Sequence, residues 1–520
     1  VVNFARKSSF SAAAGIFIVF SNFISGVIVA NALGVQGAGM VAFALWIALV
    51  LTPIIDGGAT LSVGRFPAQL RGQDKQSAAQ ALPGILARRL LLYHVVSLAA
   101  LLAVFVLLQD HPEASSWTIQ AEISGIPLHA VVIVAVLTSL QSLALFAAAD
   151  LRSSQSFGTL AVLAFVSMLV QLGSVYAGAR FYGVPGALCG YLCGQICLAL
   201  VTLSRIGRRG RLAPSQAREV WRYGRYSWAA NICSTFVWSR IEILFLQVFW
   251  SYHEVGWFSV ALALSSLASQ GPLLLTGAFL PMLAQKHGER DRAGLQSAFI
   301  RGTRMLALIA LPVCLVMAAV VPALVDLIYG AAFAPASPAA MIIVTAAAFT
   351  ATTVIGTHLV NALGRSDFIF FSSLAGALLS AVLGLLLIPR FGLVGAAVSR
   401  ATVQLAMVAL GMWFITWKLG FRFPLGSSLR ILLASAVAAG AAYAIVSVDH
   451  HPAALAAAVA MGGIVYVLCL RLFGAVHAED VRLARRLLAP LPRPLARLAD
   501  GFLLFIYPGP GAVFIITTTR

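Results

Sequence analysis

Glu242, Arg240, Arg400 and Gln404 are the residues best placed to do chemistry, because each lies within a long apolar run of the sequence. Glu242 is the one acid deep inside such a run; Asp56, Asp150 and Asp326 stand at run ends. An ionisable group at that depth costs about 2.5 to 3.5 kcal/mol, so it faces a partner or a wet cavity. There a carboxylate can take a proton or a cation, a guanidinium can pair bidentately with phosphate, and amides can meet sugar hydroxyls. On a continuous helix Ser227, Asn231, Ser234, Thr235, Trp238 and Glu242 share one sector, and Arg240 lies about 160° from Glu242. Arg240 then needs a partner on another helix or a separate wet surface, since snorkelling to Phe249 means covering about 14 Å.

Arg400 and Gln404 are one helical turn apart, and Met407 and Gly411 continue the stripe. An interhelical ion pair is the structural alternative for Arg400. In the first apolar run Ser11, Gly15, Ser21, Asn22, Ser25 and Gly26 form a small polar face, suited to close packing or to lining a substrate path. His358 and Asn361 read as packing or interface residues. Cys189, Cys193, Cys197, Cys233, Cys314 and Cys469 form no C-x-x-C pair and read as packing residues, so neither a metal nor a cofactor is expected. No G-x-x-x-x-G-K-[ST] loop supplies an ATPase, and no set of acids or nucleophiles points to an enzyme.

The elements that carry these residues are membrane helices. The chain is 60% hydrophobic and 10% charged, against roughly 25% charged residues in soluble domains. It reads as an all-α polytopic membrane protein with fourteen apolar runs of spanning length between residues 10 and 472, run seven over 226–249 and run twelve over 391–417. All but four of the 35 Lys and Arg residues (Arg180, Arg240, Arg390 and Arg400) lie in segments on one side of the alternation. By the positive-inside rule that side is cytoplasmic, as are both termini. The formal charge of +18 is thereby explained by topology and by anionic head groups, with no nucleic-acid partner.

The chain repeats itself. Phe181-Tyr-Gly-Val-Pro-Gly-Ala187 matches Arg390-Phe-Gly-Leu-Val-Gly-Ala396 at an offset of 209 residues. Gly37-Ala-Gly-Met-Val-Ala42 resembles Glu254-Val-Gly-Trp-Phe-Ser-Val-Ala261 at an offset near 217, and Gln76-Ser-Ala78 pairs with Gln296-Ser-Ala298. Two parallel six-helix repeats plus two extra C-terminal helices follow, with Tyr191 and Gln195 equivalent to Arg400 and Gln404. Parallel repeats are a transporter architecture in which the substrate lies between halves that rock by alternating access. The expected domains are a six-helix lobe over 1–205, a basic linker over 206–222, a second lobe over 223–417, two helices over 418–473, and a basic amphipathic tail over 474–520.

Six plus six plus two spans resemble the oligosaccharide flippases (Wzx type) of the multidrug/oligosaccharidyl-lipid/polysaccharide exporter superfamily. The resemblance rests on Ala32-Leu-Gly-Val-Gln-Gly37, Arg240-Ile-Glu242, Glu254 to Ala261, Pro281-Met-Leu-Ala-Gln285, Tyr329-Gly330 with Phe333, and the two Phe/Tyr-Gly motifs above. It implies a flippase in the bacterial cytoplasmic (inner) membrane that moves undecaprenyl-diphosphate-linked oligosaccharide to the outer leaflet for O-antigen or exopolysaccharide export. Bilayer lipids, a polysaccharide polymerase with its chain-length machinery, and H+ or Na+ are the implied partners. Within that frame Arg240 and Arg400 would hold the diphosphate, Asn22, Asn231 and Gln404 the sugars, and Glu242 the coupling ion. A drug/cation antiporter of the same superfamily, a lipid II flippase and a membrane glycosyltransferase or polymerase are the alternatives.

Overall fold

The structure, a computed structural model, describes residues 2–110, 128–207, 210, 212–238, 240–274, 276, 279–449, 451–477 and 481. Most of the segment 109–125 and of the expected tail 474–520 lies outside them. The described residues form fourteen α-helices: α1 (Val2–Asp56), α2 (Ala59–Gly72), α3 (Gln76–Asp110), α4 (Leu128–Ser153), α5 (Phe157–Arg205), α6 (Pro214–Trp238), α7 (Glu242–Phe249), α8 (Tyr252–Leu274), α9 (Phe279–Gly288), α10 (Arg292–Tyr329), α11 (Ala336–Ala362), α12 (Ser366–Trp413), α13 (Leu425–Val446) and α14 (Pro452–Leu472).

Helices α1, α5 and α12 hold 55, 49 and 48 residues. Straight, each would run roughly 70 to 80 Å, over twice the hydrocarbon thickness. Each leaves helical geometry at one glycine: Gly34 (φ 67°, ψ −171°), Gly183 (φ 63°, ψ −140°) and Gly392 (φ 51°, ψ −128°). In α5 the chain doubles back there, so that Gly186 lies against Gly178, Gly190 against Val175 and Gly194 against Gln171. Counting two crossings for each of these three, one each for α3, α4, α8, α10, α11, α13 and α14, and one shared by α6 and α7 gives the fourteen expected spans. The 14-residue α2 and 10-residue α9 are too short to cross.

The repeat is written into the backbone. Gly183 and Gly392 share their positive φ, and the caps that open α5 and α12, Ser156 (φ −85°, ψ 54°) and Arg365 (φ −84°, ψ 55°), coincide at the same offset of 209 residues. Asp74 (φ 57°) and Arg290 (φ 56°) close α2 and α9 alike, which aligns Gln76 with Arg292 and corrects the pairing of Gln76 with Gln296 by one helical turn. A four-residue slip keeps a residue on the same helix face, which is why the sequence match misled. Gln296 instead clasps the chain beyond α12, its amide donating to Arg422 O and accepting from Arg422 N, both at 2.8 Å.

Two compact units emerge: unit 1 is Val1–Ser259 with Ser373–Gly392, and unit 2 is Val260–Ser372 with Leu393–Arg520. At the arginine-rich end of unit 1, its basic face, Val63, Phe66, Leu82, Leu86, Leu90, Phe146 and Val220 form a core joining α2, α3, α4 and α6. Unit 2 builds its counterpart from Leu283, Phe299, Ile355, Leu359, Phe414 and Phe421. Helices α13 and α14 pack on α10 through Ala319, Val320, Ala323, Ala442 and Ala458.

Long side chains repair the backbone where helices end or break. Pro312 has no N–H for the carbonyl of Leu308 four residues earlier, and the Tyr466 hydroxyl of α14 donates to that oxygen at 2.7 Å. Trp250 Nε1 donates to Ile388 O at 2.8 Å beside the Gly392 turn, and Trp228 Nε1 to Ile54 O at 3.0 Å near the end of α1. On the basic faces Arg71 reaches Ser153 O, Arg88 reaches Ile206 O at 3.0 Å, and Arg292 reaches Leu419 O at 2.8 Å. A guanidinium at a helix C-terminus satisfies an orphan carbonyl and suits the negative end of the dipole. These arginines therefore hold helix ends.

Candidate functional site

Run seven is not one helix. Helix α6 stops at Trp238 and α7 starts at Glu242, with Arg240 between them at φ 62°, a conformation that side-chain-bearing residues seldom adopt. Nothing in the local sequence announces it, because neither Gly nor Pro stands near residue 240. The break lies about 14 Å of helix from Phe249, well inside a ~30 Å apolar layer. It interrupts the helical ladder at the end of α6, while the N–H groups of Ile243, Leu244 and Phe245 turn back onto Arg240 O and Ile241 O at 2.9 to 3.3 Å and start α7 afresh. Upstream, Thr235 Oγ1 bonds back to Asn231 O at 2.8 Å, a contact that bends helices.

The break overturns the single sector expected for run seven, along with the 160° between Arg240 and Glu242, since both assumed 100° per residue throughout. Asn231 and Arg240 are half-buried, whereas Glu242 is only 2% exposed and occupies the first turn of α7. A carboxylate there is favoured by the helix dipole. Arg240 and Glu242 are each engaged in at least one polar, ring or electrostatic contact. The side chains of Ser234 and Trp238 fall outside the described residues.

Asn22 lies on α1 in unit 1. Its Oδ1 accepts from Gln171 Nε2 at 3.4 Å, and the same amide donates to Ser25 Oγ at 3.0 Å. Gln171, 4% exposed and seated against Gly194, is a buried polar anchor that the sequence reading missed; a solitary Gln in run five carries no spacing signal. Arg400 and Gln404 sit one turn apart in the second half of α12, in unit 2, both half-buried. Gln404 Oε1 is enclosed with no hydrogen-bond partner among the described residues, so it remains open to a donor. Tyr191, the repeat equivalent of Arg400, is buried in unit 1, and Gln195 is half-buried.

One further cation lies buried in a helix. Arg304, read as part of a basic connecting segment, is 6% exposed beside Thr303 at 1%. Helix α10 already begins at Arg292, about 18 Å of helix earlier. Arg240 and Arg400 are therefore not the only basic residues that topology leaves unexplained. Among the described residues no cluster of His, Cys, Asp or Glu could hold a metal ion.

Residues 114–338 match the family model described as polysaccharide biosynthesis protein. The chain is 27% identical over 116 residues to an uncharacterized membrane protein of Methanocaldococcus jannaschii, a match that spans 22% of this chain and 23% of that protein. Its fold resembles that of the lipid II flippase MurJ in an inward closed conformation, with a TM-score of 0.67 and 14% identity over 91% of this chain and 99% of that one. It also resembles an inward-facing multidrug resistance MATE family transporter of the MOP superfamily, with a TM-score of 0.58 and 13% identity over 79% and 98%. These likenesses show that the chain shares the fold of MurJ and of a MATE family transporter, and that residues 114–338 match the model for polysaccharide biosynthesis proteins.

Proposed function

We propose that this protein is a flippase that moves an undecaprenyl-diphosphate-linked oligosaccharide from the inner to the outer leaflet of a bacterial cytoplasmic membrane by alternating access, for O-antigen or exopolysaccharide export. The observation that carries this reading is the helix break at Arg240, which puts a basic residue in irregular backbone within an apolar run, just before a buried carboxylate. Discontinuous helices of this kind form substrate and ion sites in transporters because irregular backbone at that depth is tolerated only in protein or beside water. In this reading Arg240 and Arg400 grip the diphosphate as bidentate donors. Asn22, Asn231 and Gln404 meet sugar hydroxyls, with Gln404 Oε1 free to accept. Glu242 takes the H+ or Na+ that resets the carrier. No bond is made or broken, so the activity is transport, and the arginine-rich side faces the cytoplasm with both termini. A polymerase and chain-length machinery would consume the exported unit.

A lipid II flippase is the second reading, favoured by the likeness to MurJ over 91% of the chain. Both readings share the diphosphate and differ in the sugar. The test is translocation in proteoliposomes loaded with a fluorescent lipid-diphosphate oligosaccharide or with lipid II. Combined Arg240→Ala and Arg400→Ala substitution should lower the rate at least tenfold, and Glu242→Gln should abolish its dependence on the ion gradient. Full activity of the double variant at normal protein level would end the diphosphate assignment, and a preference for lipid II would select the second reading.

A further inference from the structure

Before the apolar part of run seven, the first turns of α6 carry Arg218, Arg222 and Arg225, all exposed. Their i, i+4, i+7 spacing sets them on one helix face, with Tyr226, 75% exposed, one turn beyond Arg222. Among the described residues none of the three has a hydrogen bond or an ion pair. The opposite face is docked: Val220 is 1% exposed within the unit 1 core, and the backbone of Gly224 lies so close to Gly58 that a methyl group there would meet Gly224 O. Trp221 and Tyr223 are partly buried against the unit 1 core. The Arg89 guanidinium lies 3.4 Å from the Trp221 ring centroid, and that of Arg65 lies 4.6 Å from that of Tyr223. The result is a row of three exposed arginines on a docked helix, with two more arginines held by the aromatic residues of the same turns. Glu219, the one acid of these turns, is held by Gln69 at 3.5 Å.

We propose that this ridge is a binding site for the head groups of anionic phospholipids. Residues 218 to 225 precede the apolar stretch beginning at 226 by about 2 to 12 Å of helix, a distance that spans the head-group layer, whose depth is about 5 to 8 Å on each side of the hydrocarbon. Trp221, Tyr223, Tyr226 and Trp228 form the aromatic belt that marks this depth. A nucleic acid or an acidic protein would have to reach the guanidiniums through the lipid head groups, whereas a phosphodiester is already at their level. Guanidinium forks match phosphate oxygens, and the packing beneath the ridge has already fixed the backbone that presents them. The proposal does not depend on which substrate is transported.

The full-length protein in a neutral detergent would be titrated with dioctanoyl phosphatidylglycerol while its melting midpoint is followed. A saturable rise is expected with phosphatidylglycerol and none with dioctanoyl phosphatidylcholine. Combined Arg218→Gln, Arg222→Gln and Arg225→Gln substitution should weaken the response about a hundredfold in concentration. An equal loss of charge elsewhere, Lys75→Gln with Arg290→Gln and Arg301→Gln, should leave it unchanged. Should the triple ridge variant fold poorly, Arg222→Glu alone serves the same purpose. A wild-type response from the ridge variants, an equal loss in the comparison variant, or equal stabilisation by inorganic phosphate at the same concentration would overturn the proposal.

Discussion

On their basic faces the two units close equivalent helix junctions with different physics. In unit 1 Asp150 at the end of α4 pairs with Arg205 at the end of α5, 2.8 Å apart and with side chains 5% and 18% exposed. The repeat offset of 209 residues carries these positions onto Leu359 and Phe414 in unit 2. There Phe414 stacks on Phe368 with ring centroids 3.7 Å apart, inside the apolar core that includes Leu359. A half-buried ion pair gains Coulomb energy but loses hydration, whereas an aromatic stack gains area and loses little. One scaffold thus accepts either solution. The ionic one responds to salt; the apolar one does not.

That contrast can be broken from the apolar side first. Phe414→Ala removes a 6% exposed ring and should destabilise by about 3 to 5 kcal/mol, read by thermal unfolding in detergent, with no dependence on salt. Asp150→Asn should cost less, about 2 to 3 kcal/mol, because Arg205 keeps some contact with water. The sharper form is the exchange Asp150→Leu with Arg205→Phe, which copies unit 2 and should return stability to within about 1 kcal/mol of the wild type. A double variant as unstable as Asp150→Asn would show that the junctions are not interchangeable. The smallest difference concerns the two repeat-related turns, Gly183 and Gly392, which agree in backbone. At Gly392 a methyl group would stand 3.2 Å from the Trp250 ring, while at Gly183 it would meet nothing within 4 Å. Both positions need positive φ, so Gly183→Ala should cost about 1 kcal/mol and Gly392→Ala about 2. Equal losses would mean that Trp250 moves aside freely.

Much of the scaffold was legible because membrane helices announce themselves by length and the repeat by its Gly motifs. Phe-Gly and Tyr-Gly marked the turns of α5 and α12 because the turn needs a residue free of a Cβ. What stayed hidden follows from the same physics. The break at Arg240 uses a residue with a full side chain, so apolar periodicity runs straight through it. Gln171 reveals its role only through Asn22 and Ser25 on another helix, a pairing that no linear spacing encodes. The charge of Arg304 suggests a connecting segment, whereas tertiary packing encloses it within α10. The roles of Arg240, Arg400, Glu242 and the amides remain readings of chemistry rather than of spacing.

The Tyr466 hydroxyl on Leu308 O bears on how the chain is assembled. A helix inserted into lipid with a carbonyl robbed of its donor carries that deficit until something arrives to meet it. In α10 the donor comes from α14, more than a hundred residues later in synthesis. The ninth span therefore waits on the fourteenth. The two helices outside the repeat complete a helix within it, and a chain cut short before Tyr466 would leave that carbonyl facing hydrocarbon.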